Sequence, residues 1–412
     1  MKRFFTLLNL AVAVTLLGSC KKGDNVNRNK GIELNLSVVQ QQQAAHTNDF
    51  TFNLFRSVSA TNSNGSNLFT SPLSVSIALG MTSNGANNGT LDSMRTVLGF
   101  SSFTQDQVNS YYNKLITALP ELDPNTTLKI ANSIWYTQSL SVIPSFLQTG
   151  NKSYLANIQS LDFSNPASLT TINNWVSDQT NGKITKVIDK IGNDDMMYLI
   201  NAIYFKSIWA SKFNTSDTKS TTFTLPDNSE IETPFMNGHI SCNFYRDADA
   251  TILELPYANN KYSLVMVMPP SGQPLGSFVS ALSSTTWQNW MGKIGNGTAD
   301  VSIPKFQFTY STSLRGELSA MGMGTAFSDA ADFSNLSTTA ALKITDVQHK
   351  AYIAVDETGT EAAAATTVIM GMTAPAPNII TINRPFFFVI REMKSGLILF
   401  AGSVNNPAQT GL

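Results

Sequence analysis

Cysteine, histidine and clustered charge are scarce in this 412-residue chain, which has two cysteines, three histidines and 13% charged residues. His46, His239 and His349 are never paired at metal-ligand spacing and no H-E-x-x-H occurs, so no metal is implied. There is no G-x-S-x-G elbow, Walker loop or dinucleotide fingerprint. "NGKI" at Asn181 to Ile184 lacks the upstream glycine and following hydroxyl of a phosphate loop, and "MGMG" at Met321 to Gly324 is a lone glycine pair. These absences count against an enzyme, though triads can be assembled from distant residues. The net charge of −1 comes without a Lys/Arg cluster, so neither a nucleic-acid grip nor a polyanion site nor a cofactor is implied. The apolar run near the N-terminus is too short for a convincing membrane span.

What is present is core material. Hydrophobic residues reach 42%, enough for a large interior. Length alone points to two domains, because single cores usually stop growing near ~250–300 residues.

Residues 1–19 read as an export signal: Lys2 and Arg3, then "FFTLLNLAVAVTLL", then small residues. The end of this segment, "LGSC", resembles the lipobox of bacterial lipoproteins, with a plain secretory signal as the alternative. The resemblance implies cleavage before Cys20 and acylation of its thiol, palmitate included. It also implies anchoring of an exported protein to the outer membrane, on the cell surface or the periplasmic face. Residues 20–43 are polar and Gln-rich and read as a flexible tether. With Cys20 acylated, only Cys242 remains, so no internal disulfide forms and Cys242 is read as structural.

Along the rest of the chain, helices come early and strands late. "NDFTFNLFRSVSA" has helical spacing with Asn48 as cap, and "SPLSVSIALGMTSNGA" opens with Ser-Pro as a helix start should. "TTINNWVSDQTNGKI" reads as a helix closed by Gly182. "YLINAIYFK", "ATILELPY", "YSLVMVMP", "VSIPKFQFTYS" and "RPFFFVIREM" read as strands. The order predicts an α+β fold with mostly antiparallel or mixed sheets.

One stretch fits no single element. "DETGTEAAAATTVIMGMTAPAPN", Asp356 to Asn378, favours helix in its first half and disfavours it in its second.

Six segments in order carry a family resemblance. "NLFTSPLSVSIALGMTSNGA", "INNWVSDQTNGKI", "LINAIYFKSIWASKF", "SIPKFQF", "DVQHKAYIAVDETGTEAAAAT" and "NRPFFFVIREMKSGLILFAGSVNNP" resemble signatures of the serpins, the serine-protease-inhibitor superfamily. The resemblance covers roughly Thr47 to Pro407. It implies a single domain over 44–412, in place of two, with about eight or nine helices, three β-sheets and an exposed reactive-centre loop. The implied partner is a target protease, bound covalently as its acyl-enzyme; the chain itself is not an enzyme. It is expected to be a monomer.

By that resemblance Asp356 to Asn378 is the reactive-centre loop, a bait that inserts into the central sheet when cut. The hinge is Glu357, Gly359, Thr360, Glu361, Ala362, Ala363, Ala364 and Ala365. An inserting strand places alternate residues against the core. Thr360, Ala362, Ala364, Thr366, Val368 and Met370 share one uncharged face, while Glu361 falls on the other. Gly359 is expected to permit the initial backbone turn. The alternative, an Ala-rich helix capped by Thr360, sits poorly with the β-branched run and the prolines beyond Ala374. Counting 16 residues from Glu357 puts the scissile bond at Thr373–Ala374, with Met372–Thr373 and Ala374–Pro375 as alternatives. No Arg or Lys lies between Gly359 and Asn383, which disfavours trypsin-like targets and suits elastase-, subtilisin- or chymotrypsin-like proteases or some cysteine proteases. Ser71, Ser74, Asn201 and His349 match the shutter beneath the opening strands. Trp209 matches the breach, where insertion starts, and Glu357 with Lys305 matches a breach ion pair. Thr358 stands where many serpins carry a charge. A non-inhibitory serpin acting as a surface binding scaffold is the alternative function; an unrelated surface lipoprotein would need all six matches to be accidental.

Overall fold

The computed structural model describes residues 31–62, 65–360 and 378–410. The expected export signal, Cys20, the expected hinge residues Glu361, Ala362, Ala363, Ala364 and Ala365, and Met372, Thr373 and Ala374 lie outside the described residues.

The expected tether ends early. Helix α1 (Val38–Thr61) starts inside it, because Ser37 and Gln40 form a reciprocal capping box and Gln43, Ala44 and Thr47 are already buried. Asn48 is therefore no cap. It sits mid-helix, where its amide donates to the Gly396 carbonyl at 2.9 Å and accepts the Ile398 N–H at 2.9 Å. The Ser-Pro start holds: α2 (Pro72–Ser83) has Ser71 as N-cap, its hydroxyl accepting the Ser74 N–H. The remaining helices are α3 (Asn88–Val97), α4 (Gln105–Ala118), α5 (Pro144–Tyr154), α6 (Pro166–Gln179), α7 (Leu275–Ser280), α8 (Ser284–Lys293) and α9 (Arg315–Leu318). Helix α6 is closed by the Gly182 N–H on the Ser177 carbonyl at 2.8 Å, with Asn181 in the left-handed position.

Strands interleave with the helices earlier than expected: β1 (Leu68–Thr70), β2 (Thr127–Thr137) and β3 (Asn157–Leu161) all precede β4 (Met197–Ile208). Then come β5 (Lys219–Thr224), β6 (Glu230–Arg246), β7 (Thr251–Pro256), β8 (Tyr262–Met268), β9 (Gly295–Pro304) and β10 (Phe306–Ser313). The last are β11 (Gln348–Val355), β12 (Gly359–Thr360), β13 (Asn378–Thr381), β14 (Phe386–Glu392) and β15 (Ile398–Val404).

Two sheets, not three, are found among the described residues. One has nine strands in the order β1-β15-β14-β8-β7-β6-β9-β13, with β5 on β6. It stays continuous because the 17-residue β6 pairs with β5 and β9 along most of its length and with β7 through Asn243 to Arg246. The other has the order β10-β11-β12-β4-β2-β3. Among the described residues only β2–β3 and β9–β13 pair in parallel. "VSIPKFQFTYS" is two strands in different sheets, broken at Lys305. The main core runs through both sheets, with Phe69 stacked on Phe388 and Phe400, and a smaller cluster around Trp135, Ile172 and Ile200 lies under α6. Glu254 and Arg391 form a buried ion pair at 2.6 Å between β7 and β14.

Candidate functional site

In the six-stranded sheet, β11 and β4 are neighbours joined only through β12. Thr360 is the register partner of Val355 on one side and Ser207 on the other, and Gly359 of Ile208. Below that two-residue wedge no ladder joins β11 to β4 among the described residues, so no described strand fills the slot between their facing edges. Edges of this kind offer N–H and C=O groups to an added strand.

Thr360 is 3% exposed, and its hydroxyl meets that of Tyr257 at 2.5 Å. The Tyr257 ring stacks on Trp209 with centroids 4.7 Å apart and planes within 8°. The Trp209 indole N–H donates to the Asp356 carbonyl at 2.8 Å and its backbone N–H to Thr358 at 2.8 Å. Asp356 in turn accepts the Thr358 N–H, so the turn into the hinge is closed on itself. The φ of Gly359 is not left-handed; the glycine is needed because a Cβ there would lie 2.0 Å from the Ser207 carbonyl oxygen. Close approach to β4, not turn freedom, explains that residue.

Glu357 receives Lys305 Nζ at 2.8 Å and Thr218 Oγ1 at 2.6 Å. Its side chain is 8% exposed and that of Lys305 36%, so the pair is more buried than a surface bridge worth ~0–1 kcal/mol. Burial pushes the Glu357 carboxyl up, but the bonds from Lys305 and Thr218 outweigh it and hold it below the ordinary carboxylate value. Lys305 can reach because the chain changes sheets at that residue.

Beneath the slot, a second polar group gathers on α2. The Ser71 N–H donates to His349 Nε2 at 3.1 Å, and the Ser71 hydroxyl donates to Leu399 O at 2.8 Å. Ser74 donates to the Asn201 side-chain oxygen, and Asn201 passes the chain on to Asn132 at 2.6 Å. Asn132 ends on the Tyr154 carbonyl at 2.7 Å. One helix thus ties β11 through His349 and β4 through Asn201, the two strands that border the slot.

The sequence matches a known family over residues 45–407, described as "Serpin (serine protease inhibitor)". The chain is a serpin. An uncharacterized serpin-like protein of Thermococcus kodakarensis is 34% identical over 87% of this chain and 84% of its own. The leukocyte elastase inhibitor of Xenopus tropicalis is 32% identical over 87% of this chain and 97% of its own. Human thyroxine-binding globulin, solved in complex with thyroxine, superposes with a TM-score of 0.83 at 31% identity, covering 90% of this chain and all of that one. Serpins as a family are protease inhibitors and not enzymes.

The structure of this serpin brings the expected site residues into two groups, Glu357, Gly359, Thr360, Trp209 and Lys305 above the slot and Ser71, Ser74, Asn201 and His349 beneath it. Sequence reasoning missed Tyr257, Ser207, Thr218 and Asn132, whose side-chain partners Thr360, Thr126, Glu357 and Asn201 lie 69 to 139 residues away along the chain. Only the alternation of "ATILELPY" hinted that Tyr257 would face inward. Cys242 is buried on β6, and burial pushes its thiol up to about 11, leaving it protonated and inert at neutral pH. Among the described residues no cluster of His, Cys, Asp and Glu fits a metal, and no helix is long and apolar enough to cross a membrane.

Proposed function

We propose that this serpin is a suicide-type protease inhibitor, cut at Thr373–Ala374 and inserting its loop between β11 and β4. The observation that carries the reading is Thr360 seated at the mouth of that slot and paired on both sides, at the head of a sequence face, Thr360, Ala362, Ala364, Thr366, Val368 and Met370, that carries no charge. Continuing the registers would set Met370 opposite Met197 of β4 and Thr367 opposite Gln348 of β11, so β4 offers ten further positions and β11 seven to the inserting segment. Each new backbone hydrogen bond contributes ~0.5–1.5 kcal/mol net, and the total is comparable with the ~5–15 kcal/mol stability of a protease. A fourteen-step insertion at ~3.3 Å per residue would carry a tethered protease about 46 Å. The targets fitting a loop without Arg or Lys are elastase-, subtilisin- or chymotrypsin-like proteases or some cysteine proteases.

The test mixes residues 21–412 with pancreatic elastase and with subtilisin. A covalent band should survive boiling in denaturant, and the released fragment should begin at Ala374. Cleavage that yields neither a complex nor a more heat-stable product would overturn the reading and leave the scaffold alternative.

The same chain is proposed to reach the outer membrane through an acylated Cys20 and to act as a monomer. Lys2, Arg3 and the "LGSC" end of the apolar run support the anchor. In an expressing bacterium, labelled palmitate should enter the wild-type chain and not Cys20→Ala; label in both would remove the anchor at that residue.

A further inference from the structure

The first described residues, from Gly31, lie at the same end of the six-stranded sheet as β12. Gly31, at φ +67°, packs so tightly on Leu122 that a Cβ would lie 1.7 Å from that carbonyl oxygen. Leu34 is 3% exposed, which fixes the segment ahead of α1 as a strap rather than a loose lead. Between them, the Glu33 carboxylate binds Lys261 and lies 3.4 Å from Lys394, which also donates to Asn35 at 3.0 Å.

Two short routes lead from this strap to the neighbours of Thr360. Lys261 lies in the turn joining β7 to β8, whose carbonyl accepts the Met393 N–H at 2.9 Å. That turn begins with Tyr257, whose N–H donates to the Tyr262 carbonyl at 2.8 Å and whose hydroxyl meets Thr360. On the other side, Asp123, next to Leu122 and 1% exposed, accepts from Asn259 of the same turn at 2.9 Å and from Thr126 at 3.1 Å. Thr126 then meets Ser207 at 2.7 Å, and Ser207 is the register partner of Thr360.

We propose that Glu33 is a positioning residue for the hinge, holding through Lys261 the turn that carries Tyr257 and so the seat from which loop insertion starts. This rests on the inhibitory reading above. A seated Thr360 starts the strand with its first pairs already made, so insertion after cleavage competes well against hydrolysis of the acyl-enzyme. Loosening the strap removes that lead. More inhibitor is then cut and discarded for each protease trapped.

The test uses residues 21–412 with Glu33→Ala, Lys261→Met, both together, and Glu33→Asp as the conservative control. Two readouts are taken: amide exchange over residues 356–360, and the inhibitor consumed per protease trapped. Glu33→Ala and Lys261→Met should each raise both by about threefold, the scale of a partly exposed ion pair. The double variant should go no further than either single one, and Glu33→Asp should recover most of the loss. Unchanged exchange in Glu33→Ala, including the case where only the unfolding midpoint falls, overturns the proposal, as does simple additivity in the double variant. If the wild type traps nothing and gains no heat stability on loop cleavage, the inhibitory reading fails, and the exchange readout still decides whether Glu33 positions the hinge.

Discussion

Thr360→Arg should convert the inhibitor into a substrate: the loop is still cut at the wild-type rate, but covalent complex falls at least tenfold. Thr360 is 3% exposed, held between Val355 and Ser207, with its hydroxyl on Tyr257. No carboxylate is among those partners, so a guanidinium taken there would be buried without a counter-charge, at a cost of several kcal/mol. The intact protein avoids that by leaving the arginine in solvent, with the hinge unseated. Insertion cannot avoid it, because Thr360 must enter ahead of every later residue. A barrier raised by about 3 kcal/mol slows insertion roughly a hundredfold, and hydrolysis of the acyl-enzyme then wins. Thr360→Val separates charge from hydrogen bonding: it loses only the Tyr257 contact, worth ~0.5–1.5 kcal/mol, and should still form complex. Wild-type yields of complex from Thr360→Arg would show that this position does not enter the slot.

Of the expected hinge, the buried position of Thr360 was legible in the sequence, while Glu361 to Ala365 lie outside the described residues. Once the resemblance marked the segment as an inserting strand, alternation and the absence of charge put Thr360 inward, and a Ser-Pro start put Ser71 at the head of α2. Two other signals were present but outweighed. "SVVQ" is a capping box for α1, yet the glutamines around it read as tether, which moved the start of the folded body past Val38. Gly359 was singled out for the wrong reason, since its constraint is the Ser207 carbonyl on a strand more than 150 residues away. The number of sheets was beyond reach of any local pattern. Whether β6 closes one sheet or continues into the next depends on which edges its 17 residues meet. Tyr257 and Asn132 were missed for the same reason: burial can be read from alternation, but the partner of a buried hydroxyl or amide cannot.

The strands that border the slot should come apart more easily in acid, and His349 sets the pH at which they do. His349 is 5% exposed, and its Nε2 accepts the Ser71 N–H, which requires the neutral ring. Burial pushes its pKa down to about 4, against about 6.5 in an unfolded chain. As pH falls through 6.5 the unfolded chain takes up a proton that the folded protein refuses until about 4. The stability linked to this histidine is therefore complete above 6.5, erodes through the window and is gone below about 4, a total of about 3 kcal/mol. Glu357, held below the ordinary carboxylate value, loses its share in the same direction but only below about 4.5. His349→Gln keeps a neutral acceptor and cannot titrate, so the difference between the two proteins isolates the histidine. Denaturant unfolding from pH 7 to 4 should show the wild type losing stability that the variant keeps; parallel curves would mean that His349 does not titrate as its burial requires. Protonation also leaves the Ser71 N–H without its acceptor and frees β11 from α2, while Asn201 still holds β4 there. Opening of the uncut sheet should then accelerate as the pH approaches 4 in the wild type, seen as faster conversion of the intact protein to a heat-stable form, and not in His349→Gln.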